Sequence, residues 1–271
     1  MRDLYFFHND NGTYVDYTLE MRDYLRDPVT INFVAAEDEL IFGLYKPFNS
    51  IYAELSSVAV GANLSFEYST AASFSSLSTN DDTKDFARSG FITWNKSIDD
   101  WAAQNIDGNT LFWIKIKSST DFSVGIKGFN LLFSDDNDLR TEQREIDNLL
   151  YSGDTSFVAY HLSARNEIVQ SLRNSGYTTR TINAELYNDL IQWDIHDFNQ
   201  IRQASKYLTL SKINSDVSQN TEDKYHQRYR DYLGNFQEAF KLYLLSLDRD
   251  DNGKIEVEEN NFFRMIELIK V

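Results

Sequence analysis

The sequence predicts an α+β chain, with an N-terminal antiparallel β-sandwich over residues 1–138 and a C-terminal helical bundle over 139–271. Three observations carry this reading. Short β-branched and aromatic segments crowd the first part, with turn signals between them. After the polar stretch Ser134-Asp135-Asp136-Asn137-Asp138 the apolar spacing lengthens to the helical period and keeps it. Both prolines, Pro28 and Pro47, fall in the first part, so no proline breaks a helix in the second.

In chain order, the predicted strands are 29–34, 39–45, 50–55, 63–68, 90–94, 111–117 and 124–133. Residues 63–68 show the clearest alternation of apolar and polar side chains, the mark of a strand with one face buried. Lys46-Pro47, Asn80-Asp81-Asp82 and Asp107-Gly108-Asn109 supply the turns. Many short strands at close spacing imply antiparallel sheets packed face to face. In the second part a helix is expected over 155–175, stopped at Gly176. Leu186, Leu190, Trp193, Ile201 and Leu208 form one apolar stripe, and Tyr225, Tyr229, Tyr232, Phe236 and Phe240 another.

That last stripe runs into residues 248–259, where spacing dictates a chemistry. A twelve-residue calcium loop of the EF-hand type offers oxygens from positions one, three, five, seven, nine and twelve. Here those are Asp248, Asp250, Asn252, the backbone carbonyl of Lys254, Glu256 and Glu259. Gly253 stands at position six, where the chain turns sharply, and Ile255 at the apolar eighth. Phe236, Phe240, Leu244 and Leu247 precede the loop at helical spacing, and Phe262, Phe263, Ile266 and Ile269 follow it. Calcium is the expected ion, and magnesium is the other hard cation to consider. Asp135-Asp136-Asn137-Asp138 lacks the glycine and the closing glutamate of a second loop, so a structural clip is expected rather than a paired sensor.

Charge and composition exclude several classes. A net charge of −16, with no basic run, argues against nucleic acid as a sequence-specific partner. Without cysteine there are no disulfides and no thiolate metal sites. No apolar run is long enough to span a bilayer, and the first residues lack the apolar core of a signal peptide. The expectation is a protein made in a cytoplasm.

No catalytic site is expected. His8, His161, His196 and His226 are scattered, with no HxH or HExxH pair, no GxSxG elbow and no phosphate-cradling glycine loop. His196 adjoins Asp197, but helical neighbours one apart do not face each other. Trp94 and Trp113 fall within strands and are expected in the core. Trp101 lies in a loop-like segment and is the better candidate for exposure. It supports the alternative of a glycan- or ligand-binding sandwich with an appended calcium unit.

Several blocks resemble bacteriophage virion proteins of the neck, or head-to-tail adaptor, type. They are Lys46-Pro47-Phe48-Asn49-Ser50-Ile51-Tyr52, Gly90-Phe91-Ile92-Thr93-Trp94, residues 128–139 and Ile201-Arg202-Gln203-Ala204-Ser205-Lys206-Tyr207-Leu208. The resemblance implies a structural virion protein, synthesised in the host cytoplasm and assembling as a homo-oligomeric ring. Its implied partners are a portal protein and neighbouring neck or tail proteins. An acidic subunit lining a channel would also repel the DNA backbone.

Overall fold

The structure, a computed structural model, describes residues 4–22, 26–35, 37–95, 98–174, 195 and 199–241. These fall into two compact units, one ending at Leu131 and one starting at Leu132. The observed class is the predicted one: antiparallel sheets first, helices after.

The first unit opens with a hairpin, β1 (Tyr5–Asp10) and β2 (Thr13–Asp16), followed by a short helix, α1 (Thr18–Arg22). Sequence reading placed no element before residue 29. Yet Asn11-Gly12 between two strands is a strong hairpin signal, because the tight turn needs both central residues left-handed. Their φ angles are 44° and 88°, and the Asn9 side chain accepts the Gly12 N–H at 2.9 Å.

The remaining strands are β3 (Val29–Phe33), β4 (Glu39–Leu44), β5 (Ser50–Ser57), β6 (Leu64–Ser69), β7 (Phe74–Ser76), β8 (Thr79–Asp81), β9 (Gly90–Trp94), β10 (Gln104–Ile106), β11 (Asn109–Ser118) and β12 (Phe122–Asn130). One sheet runs β2-β1-β4-β11-β6-β7, with β10 paired to β11, and the other runs β3-β12-β5-β9-β8. Rings from the two sheets interlock to form the sandwich core. Phe6 on β1 stacks on Phe129 of β12 at 4.8 Å, and Phe42 on β4 lies 6.1 Å from Trp94 of β9. Within the larger sheet Gly43 stands opposite Trp113.

Two expectations about the junction need correction. The last strand ends at Asn130, not 133, and the second unit starts at Leu132, ahead of the boundary expected after Asp138. The polar stretch at the change of period is itself the start of a helix, α2 (Asp136–Glu142). Asp135 is its N-cap and accepts the Asp138 N–H at 3.0 Å, while the Asp138 side chain accepts the Asp135 N–H at 3.1 Å. This reciprocal box satisfies two otherwise orphaned donors. Acidic residues before an apolar run therefore signalled a cap.

The second unit continues with a 3-10 turn (Ile146–Leu149), α3 (Val158–Asn174), α4 (Asn199–Val217) and α5 (Lys224–Lys241). Leu139, Ile146, Phe157, Leu210 and Ile213 form a core cluster. In the predicted stripes Ile201, Leu208, Phe236 and Phe240 are buried, whereas Tyr225, Tyr229 and Tyr232 are half-buried. Leu186, Leu190 and Trp193 lie outside the described residues. Among the described residues no helix is long and apolar enough to cross a membrane.

α5 begins on Asp223, whose carboxylate accepts the His226 N–H at 2.6 Å and the Gln219 N–H at 2.7 Å. These backbone donors pull its pKa down to about 2 from an ordinary 3.8. A lowered folded value means the cap stabilises the helix above the unfolded pKa and is lost as pH falls toward the folded one. Helical circular dichroism should therefore drop between pH 4 and pH 2. In Asp223→Ala the drop in that window should be smaller and helix content at pH 7 lower.

Candidate functional site

The predicted calcium ligands Asp248, Asp250, Asn252, Lys254, Glu256 and Glu259 lie outside the described residues, as does His196. Among the described residues no group of three or more His, Asp or Glu side chains is placed to hold a metal ion. What the described residues do assemble is a serine, a histidine and an aspartate in the helical unit.

Three elements bring them together. The entry to α2 supplies Ser134 and Asp136, α3 supplies His161, and α4 supplies Ser205 and Thr209. His161 falls in the buried stripe Phe157, His161, Ala164, Ile168, Leu172, whose spacing of three and four places it on one helical face. A polar ring on an apolar stripe has to find polar partners. Its Nε2 lies 3.2 Å from Asp136 Oδ1, and its Nδ1 lies 3.0 Å from Ser134 Oγ. Ser134 Oγ lies 2.8 Å from Ser205 Oγ, and the Thr209 hydroxyl donates to the Ser205 carbonyl at 2.8 Å.

A carboxylate only accepts, so the imidazole donates to Asp136 from Nε2, and a neutral ring then accepts the Ser134 hydroxyl at Nδ1. Ser134 Oγ is then free to accept from Ser205. Asp136 also accepts the Phe157 N–H at 3.2 Å, tying the start of α3 to the start of α2. Around this cluster, burial and then the neighbouring Asp138 carboxylate raise the Asp135 pKa. Arg202 on α4 donates to Asp138 at 2.8 Å.

The residue types are those of a hydrolytic triad, which needs a serine that substrate can reach. Ser134, Ser205 and Thr209 are 0 % exposed and His161 is 1 % exposed. In the hydrolase arrangement the serine faces Nε2 and the aspartate Nδ1; here the two are exchanged. The cluster fastens α2, α3 and α4 together. It has no access for a substrate.

Sequence reading missed this convergence because the partners are far apart along the chain. It missed a second pair in the first unit: buried His8 Nε2 lies 3.4 Å from buried Asp38 Oδ2. His226 is half-buried beside Tyr229, with ring centres 5.8 Å apart. The signal available for His161 was its place in an apolar helical stripe.

The tryptophans divide. Trp94 and Trp113 are buried as expected, and Trp113 is fully so. Trp101, expected to be exposed, is only 7 % exposed. It packs among Phe48, Tyr68 and Phe112 at 5.6, 6.3 and 6.1 Å. Its segment folds inward because a large ring gains most by leaving water. A glycan-stacking surface at Trp101 is thereby lost.

No protein-family model matches the chain, and neither does any curated protein. Among solved structures, a family 89 glycoside hydrolase from Clostridium perfringens in complex with its substrate GlcNAc-alpha-1,4-galactose is similar at 11% identity and a TM-score of 0.30. That match covers 64% of this chain and 19% of the other. The same family's enzyme with 2-acetamido-1,2-dideoxynojirmycin matches at 10% identity and a TM-score of 0.24, over 54% of this chain and 17% of that one. The chain thus spans about a fifth of the length of these structures. Likeness this slight supports neither a common fold nor a common activity.

Proposed function

We propose that the chain is a non-enzymatic structural protein of a tailed-phage virion, a ring-forming head-to-tail adaptor of the neck with a calcium clip at 248–259. The holding role is supported by the sealed cluster around His161, where residues able to do chemistry are closed to solvent and bind helices to one another. The placement in a phage neck is supported by the sequence blocks that resemble such adaptors. Its partners on this reading are further copies of itself, the portal protein and adjoining neck or tail proteins. A ring closes when the rotation per head-to-tail contact divides a full turn.

Native mass spectrometry and negative-stain microscopy of the purified chain, alone and with portal, test this reading. Closed rings with the portal present are the expected result. A monomer in both conditions, with no portal complex, sinks it.

The clip has its own test. Calcium at a hundred times its dissociation constant adds about 2.7 kcal/mol, a rise of roughly 5–10 °C in melting temperature for a domain of this size. Chelation should remove that increment, and Asp248→Ala or Glu259→Gln should abolish the response. An unchanged melting temperature after chelation rules the clip out.

A further inference from the structure

The turn from β8 to β9 holds three consecutive non-glycine residues with left-handed backbone, Lys84, Asp85 and Phe86, at φ of 55°, 57° and 62°. Left-handed geometry presses Cβ against the following carbonyl and disfavours each such residue roughly five- to thirtyfold. A run of three needs an opposing restraint. One carboxylate supplies it. Asp81 Oδ1 accepts the Thr83 N–H at 2.8 Å and the Thr83 hydroxyl at 2.6 Å, and Oδ2 accepts the Asp85 N–H at 2.9 Å.

The restraint passes onward. The Thr83 hydroxyl oxygen accepts the Phe86 N–H at 3.0 Å, and the Thr83 carbonyl accepts the Arg88 N–H at 3.1 Å. Gly90 lets β9 run close behind: a Cβ there would stand 3.0 Å from the Asp82 carbonyl. The turn drives Phe86 into the sandwich core, fully buried against Phe122 and Phe129. It also holds the neighbouring loop at two points. The Phe86 carbonyl accepts the Ala59 N–H at 2.9 Å, and the Asp85 carboxylate accepts the Leu64 N–H at 2.9 Å.

We propose that residues 81–88 are a latched conformational device: the Asp81 carboxylate holds a strained left-handed turn, and loss of that anion releases Phe86 from the core together with loop 58–64. Removing the anion takes the acceptor from the Asp85 N–H and leaves the left-handed residues without the restraint that opposes their strain. Both effects drive the turn open. The device is independent of the adaptor reading, because it lies within the sandwich and needs no partner. Lys84 and Arg88 are exposed and flank Phe86, so trypsin reports the released state directly.

The experiment uses the full chain and limited trypsin digestion read by mass spectrometry. Asp81→Asn keeps the size but sets an NH2 group against the Asp85 N–H. Cleavage after Lys84 and Arg88 should rise at least tenfold, with rates at other lysines and arginines unchanged. Adding Lys84→Gly relieves one left-handed residue and should slow cleavage after Arg88 severalfold. Unchanged cleavage in Asp81→Asn overturns the latch, as does a uniform rise at every site, which reports general unfolding. Lys84→Gly without effect at Arg88 overturns it too, since the turn then stores no strain.

Discussion

Replacing His161 by alanine is expected to destabilise the helical unit by about 3–5 kcal/mol, the cost of removing one partner from a buried polar pair. The ring, on α3, is tied to the entry of α2 through Asp136 and Ser134, and Ser134 carries the link on to Ser205 of α4. Without it the Asp136 carboxylate keeps the Phe157 N–H but faces a cavity on its other side, and Ser134 loses its acceptor. Burial is nearly complete, so water does not readily take the ring's place. Folded domains are stable by only about 5–15 kcal/mol, so the loss is a large share of the total. Urea unfolding followed by circular dichroism measures it. His161→Gln, which can still donate toward Asp136, should recover part of the loss. If alanine changes the midpoint by no more than a surface substitution would, the cluster is not the fastener described here.

Gly43→Ala should be nearly as costly, at about 3 kcal/mol or more, although it adds a single methyl group. The added Cβ would overlap the Trp113 ring at Cε3, Cζ3 and Cδ2. Trp113 is fully buried, lies 5.7 Å from Phe7, and donates from Nε1 to the Gln104 carbonyl at 2.8 Å. Overpacking of this kind costs about 1–3 kcal/mol, and displacing the ring would orphan a buried indole N–H at about 1–3 kcal/mol more. Trp113→Ala alone should cost about 3–5 kcal/mol through the cavity it leaves. In that background Gly43→Ala should be close to neutral, so the two changes fall well short of additive. Additive losses would mean that Gly43 is needed for its backbone and not for the ring above it.

These two positions show where reading along the chain succeeds and where it stops. Alternation across residues 63–68 was enough to find β6, and the helix expected over 155–175 is α3, Val158–Asn174. The loop at 248–259 rests on ligand spacing alone and lies outside the described residues. By contrast, Trp101 looked like a loop residue, and only its packing with Phe48, Tyr68 and Phe112 shows that it is buried. The acidic run Asp135–Asp138 read only as a polar stretch at the change of period, and hydrogen bonding shows it to be a helix cap.

That strands come first and helices after could be read from one dimension because the two periods, two and 3.6, are properties of local backbone geometry. The pairing of Ser134 with Ser205, and the need for no side chain at Gly43, could not be. Such contacts depend on which faces meet after collapse, and close packing settles that among residues with no local signal of one another.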